Sequence, residues 1–329
     1  DDPVVALRGS KETIERNIVR IVRTWLILGL PLAFRKGQLD RSIAWIGFSI
    51  RHNWSQVVVE IPKEKVDEML TIVNGFLCAN MVAAKRLRQF AGKCVNISTV
   101  IHMWRPFLAE LWAALFSGKK IWLKQVKPAL CWIRAFIDGI EGALERRYTL
   151  RAYLRQGAKI EIGTDASPWG IGGWLKVNGI FLAWFADEIS DDDCWMFSAE
   201  RGSPDYQQVW ETLAAVVALR LWRTVWRAYR VSLRMCADNM SALSAIAYYK
   251  AKTGTQVGRL SRELALEFAE GVFSPDLVSH IPGVAHGLAD ALSRLVQPGS
   301  DGQIPKVLQN VPRHYPPRRS SRYYKTLWY

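Results

Sequence analysis

The sequence predicts an α/β protein: a partly stranded, mainly helical first half followed by a mixed five-stranded sheet with flanking helices. Three observations predict it. Before about residue 158 the apolar positions recur mostly three and four apart, as on an amphipathic helix. After it, three alternating apolar runs come in succession, and two more are separated by helical stretches. Finally, acids close two of those runs, where α/β sheets build sites.

The elements follow in order. Residues 11–29 and the stretch PKEKVDEMLTIVNGFL have helical spacing, and AAKRLRQFAGKCVNI mixes bases with apolar residues on the same period. Short β-like runs, IAWIGFSI and QVVVEI, lie between the first two helices. KIEIGTDAS, GIGGWLKV and IFLAWFA form a meander, with VNGI as the hairpin turn between the second and third. Ser203 and Pro204 suit an N-cap and first helical residue, ahead of a long helix from about Asp205 to Tyr229. VSLRMCAD follows a helix and is expected to lie parallel to an earlier strand through a right-handed crossover. DLVSHI is the last strand, and a final helix follows it. From Pro298 onward the chain is rich in Pro, Arg and Tyr without a sustained period, which predicts a flexible basic tail.

Composition narrows the function. The 329 residues carry 44 Lys and Arg against 30 acids, a net charge of +14 that favours a polyanionic partner such as nucleic acid. The longest apolar runs, such as WLILGLPLAF, are about half a membrane span, so a soluble intracellular protein is expected. The five cysteines are scattered singly, which argues against a disulfide framework or a structural zinc. Trp174, Trp184 and Trp210 stand on apolar periodic positions and are expected in the core.

The chemistry is carried by acids. If their strands are parallel neighbours, Asp165 and Asp238 emerge at one sheet edge. Glu211 lies on the long helix, and Ala214, Ala215 and Ala218 after it let that helix approach the sheet. Asp290 on the last helix would be a fourth carboxylate. Four such groups repel one another unless divalent cations are present. Hard, oxygen-ligating Mg²⁺ or Mn²⁺ suits the set, and two ions about 4 Å apart would suit in-line phosphodiester cleavage.

The blocks TDASPWGIGGWL, WETLAAVVAL, CADNMSAL and HIPGVAHGLADALSRL, in that order, resemble the ribonuclease H domain of a long-terminal-repeat-type retroelement reverse transcriptase. The resemblance implies cleavage of the RNA strand of RNA–DNA hybrids. It implies that Asp165 bridges two ions, that Glu211 and Asp238 complete the leaving-group ion, and that Asp290 serves the ion activating water. His280, ten residues before Asp290, would assist proton transfer or product release. Where the family usually has Asn, this chain has His286, a candidate substrate contact. Arg220, Arg223 and Arg227 form one helical stripe, either a solvated face or a track along the phosphate backbone.

Upstream, Asp1 and Asp2 resemble the end of the tyrosine-x-Asp-Asp motif of a reverse transcriptase palm. Lys36 in GLPLAFRKG resembles the lysine that approaches the incoming nucleotide, and Gly47 and Phe48 the hairpin that grips the primer. The resemblance divides the chain into a partial palm (1–60), a thumb and connection region (61–157), a ribonuclease H-like domain (158–297) and the tail (298–329). Its partners would be nucleic acid and the remainder of the polyprotein, with no membrane. The earlier palm, with its metal-binding aspartate, is missing, so no DNA synthesis is expected from this chain alone. Two other readings are a non-catalytic, nucleic-acid-binding remnant and an integrase or transposase. The Glu on the helix after the third strand and the last Asp in ADALSR favour ribonuclease H.

Overall fold

The structure is a computed structural model and describes residues 4–327 apart from 54, 155, 229, 240–241, 243, 245–246, 250–253, 272–276 and 281–285. Helix α1 (Lys11–Ile27) is capped by Ser10, whose Oγ accepts from the Thr13 N–H. Strands β1 (Ser42–Trp45) and β2 (Phe48–His52) form a hairpin. Ile46 and Gly47 make its turn, with φ of 47° and 78°. Strand β3 (Gln56–Glu60) pairs antiparallel with β2.

Helices α2 (Lys63–Leu77), α3 (Ala84–Ser98), α4 (Arg105–Ala114) and α5 (Lys127–Ile137) pack around Met69, Phe76, Phe90, Trp104, Phe107 and Phe136. A short antiparallel ribbon, β4 (Met81–Ala83) and β5 (Lys120–Trp122), joins them. Strand β6 (Glu145–Thr149) returns to β3, giving a sheet of order β1-β2-β3-β6. A stretch expected to be helical thus completes the first sheet, because β3 would otherwise leave one row of backbone groups unpaired.

The second sheet contains β7 (Ala158–Ala166), β8 (Gly170–Val177), β9 (Ile180–Glu188), β10 (Arg230–Ala237) and β11 (Leu277–His280). A one-turn helix, α6 (Leu150–Tyr153), leads into it. Its order is β11-β10-β7-β8-β9, with an antiparallel meander and with β10 and β11 parallel to β7. Asn178 and Gly179, at φ 53° and 83°, form the expected two-residue turn.

Between β9 and the long helix lies α7 (Asp191–Phe197), which the period alone does not predict. Its signature is local: Ser190 and Asp193 form a capping box. The long helix is shorter than expected. It runs as α8 (Gln207–Leu221), stops at Trp222 and resumes as α9 (Arg223–Ala228). Trp222 and Trp226 are both buried, and the Trp226 indole donates to the Leu219 carbonyl at 2.7 Å, so both rings enter the core at the break. Helices α10 (Gln256–Gly271) and α11 (Gly287–Ser293) complete the order. Residues Ile171 and Leu175 of β8 share a core with α8, whereas Trp174 joins Ala289 and Leu292 of α11, so these two helices cover opposite faces. Trp174, Trp184 and Trp210 are buried as expected. No described helix is long and apolar enough to cross a membrane.

The tail, expected to be flexible, packs against the second sheet and α7. His314 N–H donates to the Trp184 carbonyl at 2.8 Å, and Trp184 N–H donates to that of Pro312, so the segment borders edge strand β9. Arg319 is 2% exposed and pairs with Asp193 and Asp187. The Tyr324 hydroxyl donates to Asp193 at 2.8 Å. Composition reads as disorder here because the contacts are specific ion pairs with no period. Truncating Arg319 to Ala leaves the fully buried Asp193 without its guanidinium. The expected cost is about 3–5 kcal/mol of unfolding free energy, measured by urea titration. A loss below about 1 kcal/mol would count against this anchor.

Candidate metal centre

Strands β7 and β10 are parallel neighbours, with Cys236 opposite Gly163. Asp165 near the end of β7 and Asp238 just after β10 therefore meet at one edge. Glu211, in the second turn of α8, reaches the same point. Each of the three offers one oxygen, and these atoms lie within 4.8 Å of one another. Asp165 and Glu211 are buried, and Asp238 is partly so.

Close packing places Asp165. Opposite it on β8 is Gly172, and a Cβ there would come within 2.6 Å of the α11 backbone at Leu292 and Ser293. The absent side chain lets α11 rest on the sheet. Ser293 Oγ donates to Asp165 Oδ2 at 3.0 Å. One helical turn before Glu211, Gln207 donates to Glu211 Oε1 at 3.2 Å and also to the Ala166 carbonyl. Ser293 and Gln207 were absent from the sequence-derived set. Gln207 could have been found by its four-residue spacing from Glu211 on one helix face.

Burial pushes the Asp165 carboxyl up to about 6; Ser293 and His286 oppose this, and the Asp238 and Asp290 charges add to it. Burial likewise raises Glu211 to about 7, with Asp238 and Asp165 adding to the rise and Asn239 and Gln207 opposing it. Among the described residues, Glu211 Oε2 is buried with no hydrogen-bond partner. An all-oxygen set with an unsatisfied carboxylate oxygen fits a hard divalent cation.

The other expected residues are placed less uniformly. Asp290, in the first turn of α11, is outside the close trio. Its side chain is 44% exposed and accepts from Arg294 Nε at 2.7 Å, so an apolar helix face does not bury it. His280 ends β11 opposite Ala237, beside Asp238 at the same sheet edge. His286 is 3% exposed, and its Nε2 is 2.9 Å from the Thr164 carbonyl. It braces the strand that carries Asp165 and is not presented to a substrate.

Nor do the three arginines form an exposed stripe. Arg220 pairs with Glu263 at 2.6 Å and Glu267 at 3.2 Å, and Arg223 pairs with Glu267 at 2.6 Å. Both acids lie buried on α10, which turns these guanidinium groups inward. Arg227 is half-buried, 5.8 Å from the Trp226 ring centroid. Lys36, ahead of the first sheet, is exposed; within the sheet Gly47 makes the hairpin turn and Phe48 is 3% exposed in the core. That burial removes the Phe48 ring from any primer contact. Asp1 and Asp2 lie outside the described residues.

No protein-family model matches this chain, and no curated protein does. Solved structures similar to it include two reverse transcriptase complexes. One is a foamy viral protease-reverse transcriptase in complex with RNA/DNA hybrid, at 12% identity and a TM-score of 0.31, covering 94% of this chain and 36% of that one. The other is the foamy viral protease-reverse transcriptase dRH in complex with double-stranded DNA, at 12% identity and a TM-score of 0.35, covering 84% and 44%. The chain spans less than half the length of either. Likeness of this degree decides neither fold nor activity.

The raised carboxyls set a pH dependence for the metal-free chain. Folded Asp165 and Glu211 keep protons that the unfolded chain, with ordinary carboxyls near 3.8 and 4.5, has released. Their contribution to stability is therefore complete below those ordinary values and is lost as pH rises through about 6 and 7. Glu211→Gln should flatten this fall and raise the melting temperature at pH 8 by roughly 2 °C or more. Thermal melts in chelator across pH 4 to 8 measure it, and an unchanged slope in the variant would refute the assignment.

Proposed function

We propose that this chain is a divalent-metal-dependent endonuclease that cuts the RNA strand of RNA–DNA hybrids, as the C-terminal part of a retroelement reverse transcriptase. The observation that carries the reading is the close trio of buried Asp165, buried Glu211 and partly buried Asp238, with one Glu211 oxygen left unsatisfied among the described residues. A set of mutually repelling acids at the ends of two parallel strands weakens the fold unless a cation is bound there.

In this reading Asp165, Glu211 and Asp238 hold Mg²⁺ or Mn²⁺. Two such ions would stabilise the attacking and leaving oxygens of an in-line phosphodiester displacement. The chain's own groups do the positioning. Ser293 orients Asp165, Gln207 fixes one oxygen of Glu211, and His286 braces the strand that carries Asp165. Asp290, paired with Arg294, would be the fourth carboxylate. His280, at the end of β11, is the candidate to assist proton transfer or product release. The +14 charge supplies the general attraction to a polyanion.

The test is cleavage of labelled RNA–DNA hybrid in Mg²⁺. Asp165→Asn and Glu211→Gln should abolish it while retaining hybrid binding, and His280→Ala should slow it by about 10²- to 10⁴-fold. Mn²⁺ should raise the melting temperature of the wild-type chain and not that of Asp165→Asn. Full activity in chelator, or equal cutting of duplex DNA, would refute the proposal.

A further inference from the structure

The segment from Lys119 to Lys127, KKIWLKQVK, places Lys119, Lys120, Lys124 and Lys127 around Trp122. All four lysines are exposed, and none has an acidic partner among the described residues. Alternation along β5 buries Ile121 and turns Lys120 and Trp122 outward. Trp122 is 61% exposed. Pairing with β4 sets Met81 opposite Trp122 and Ala83 opposite Lys120. The ribbon's outer face is therefore an open indole beside an ammonium.

Next to it is a cavity of about 360 Å³, lined by Phe76, Asn80, Trp122, Lys124, Lys127 and Leu130. Phe76 and Leu130 are buried core residues, so the floor is apolar and rigid while the rim is cationic. An aromatic face and unpaired lysines around an apolar floor match a nucleotide, whose base has a π-face and whose phosphates are anionic. Interior base pairs of a duplex cannot present a face to an indole, because they are stacked on both sides. An acidic peptide would satisfy the lysines but leave the indole in water.

We propose that Trp122, with Lys120, Lys124 and Lys127, binds single-stranded nucleic acid, one base stacking on the indole and neighbouring phosphates meeting the lysines. The site is separate from the carboxylate trio, and its occupancy does not depend on cleavage there.

The test is fluorescence anisotropy of the full chain with labelled oligo(dT), oligo(rU) and a blunt RNA–DNA hybrid, in chelator so that nothing is cut. Trp122→Ala should weaken oligo(dT) and oligo(rU) binding by about 5- to 150-fold, the worth of one stacked base. Trp122→Phe should restore most of it, and the blunt hybrid should bind both variants as it binds wild type. Replacing Lys120, Lys124 and Lys127 together with Gln should reduce the slope of log K against log salt by about 2. Absence of oligonucleotide binding, unchanged affinity in Trp122→Ala, or an equal loss for the blunt hybrid would overturn the proposal. So would poly-glutamate that binds with the same dependence on Trp122, which would assign the groove to an acidic protein surface.

Discussion

Three carboxylates held at one sheet edge are the constraint around which the second half of this protein is organised. Like charges at this separation push their carriers apart, and here the carriers are two parallel strands and a helix. The opposing forces are close packing and hydrogen bonds. Gly172 lets α11 lie against β8, and Ser293 then grips Asp165 from that helix. On the other face α8 is buried along nearly its whole length, so Glu211 cannot withdraw without moving the core. The acids are kept together by elements whose main energy comes from elsewhere.

A second arrangement concerns the basic residues. In a chain with a net charge of +14, several arginines are spent inside the fold. Arg220 and Arg223 neutralise Glu263 and Glu267, and Arg319 neutralises Asp193. Buried pairs of this kind contribute little net stability over apolar packing, but losing one partner is costly. They join α8 to α10 and the last residues to α7. The cations left for an external polyanion are accordingly elsewhere, including the lysines around β5.

Legibility in the sequence followed the range of the interactions. The Asn178-Gly179 turn, the meander and the strand-end positions of Asp165 and Asp238 depend on local pattern, and they could be read directly. Glu211 was readable because small residues after it imply a close approach to the sheet. The break at Trp222 was not, since helical spacing continues through it and only the core decides that both Trp222 and Trp226 turn inward. The arginine stripe misled for the same reason: its partners, Glu263 and Glu267, lie more than forty residues away, 43 and 47 from Arg220. His286 read as a substrate contact because its acceptor, the Thr164 carbonyl, is 122 positions distant. The tail had no period to read, only a series of individual partners.

The packing of that tail has a consequence for how the molecule is made. Asp193 is buried early in the second sheet's order, yet the guanidinium that compensates it is 126 residues further along. The Ser293 hydroxyl that orients Asp165 arrives 128 residues after it. During synthesis the meander can pair as soon as it emerges, whereas α7 must wait for Arg319 and Tyr324 before its acid can leave water. Closing such long loops is slow, because chain entropy is lost before the contacts are gained. Completion of the domain is therefore tied to translation of Arg319 and Tyr324, and until then its edge strand β9 stays open to pairing with a neighbouring chain.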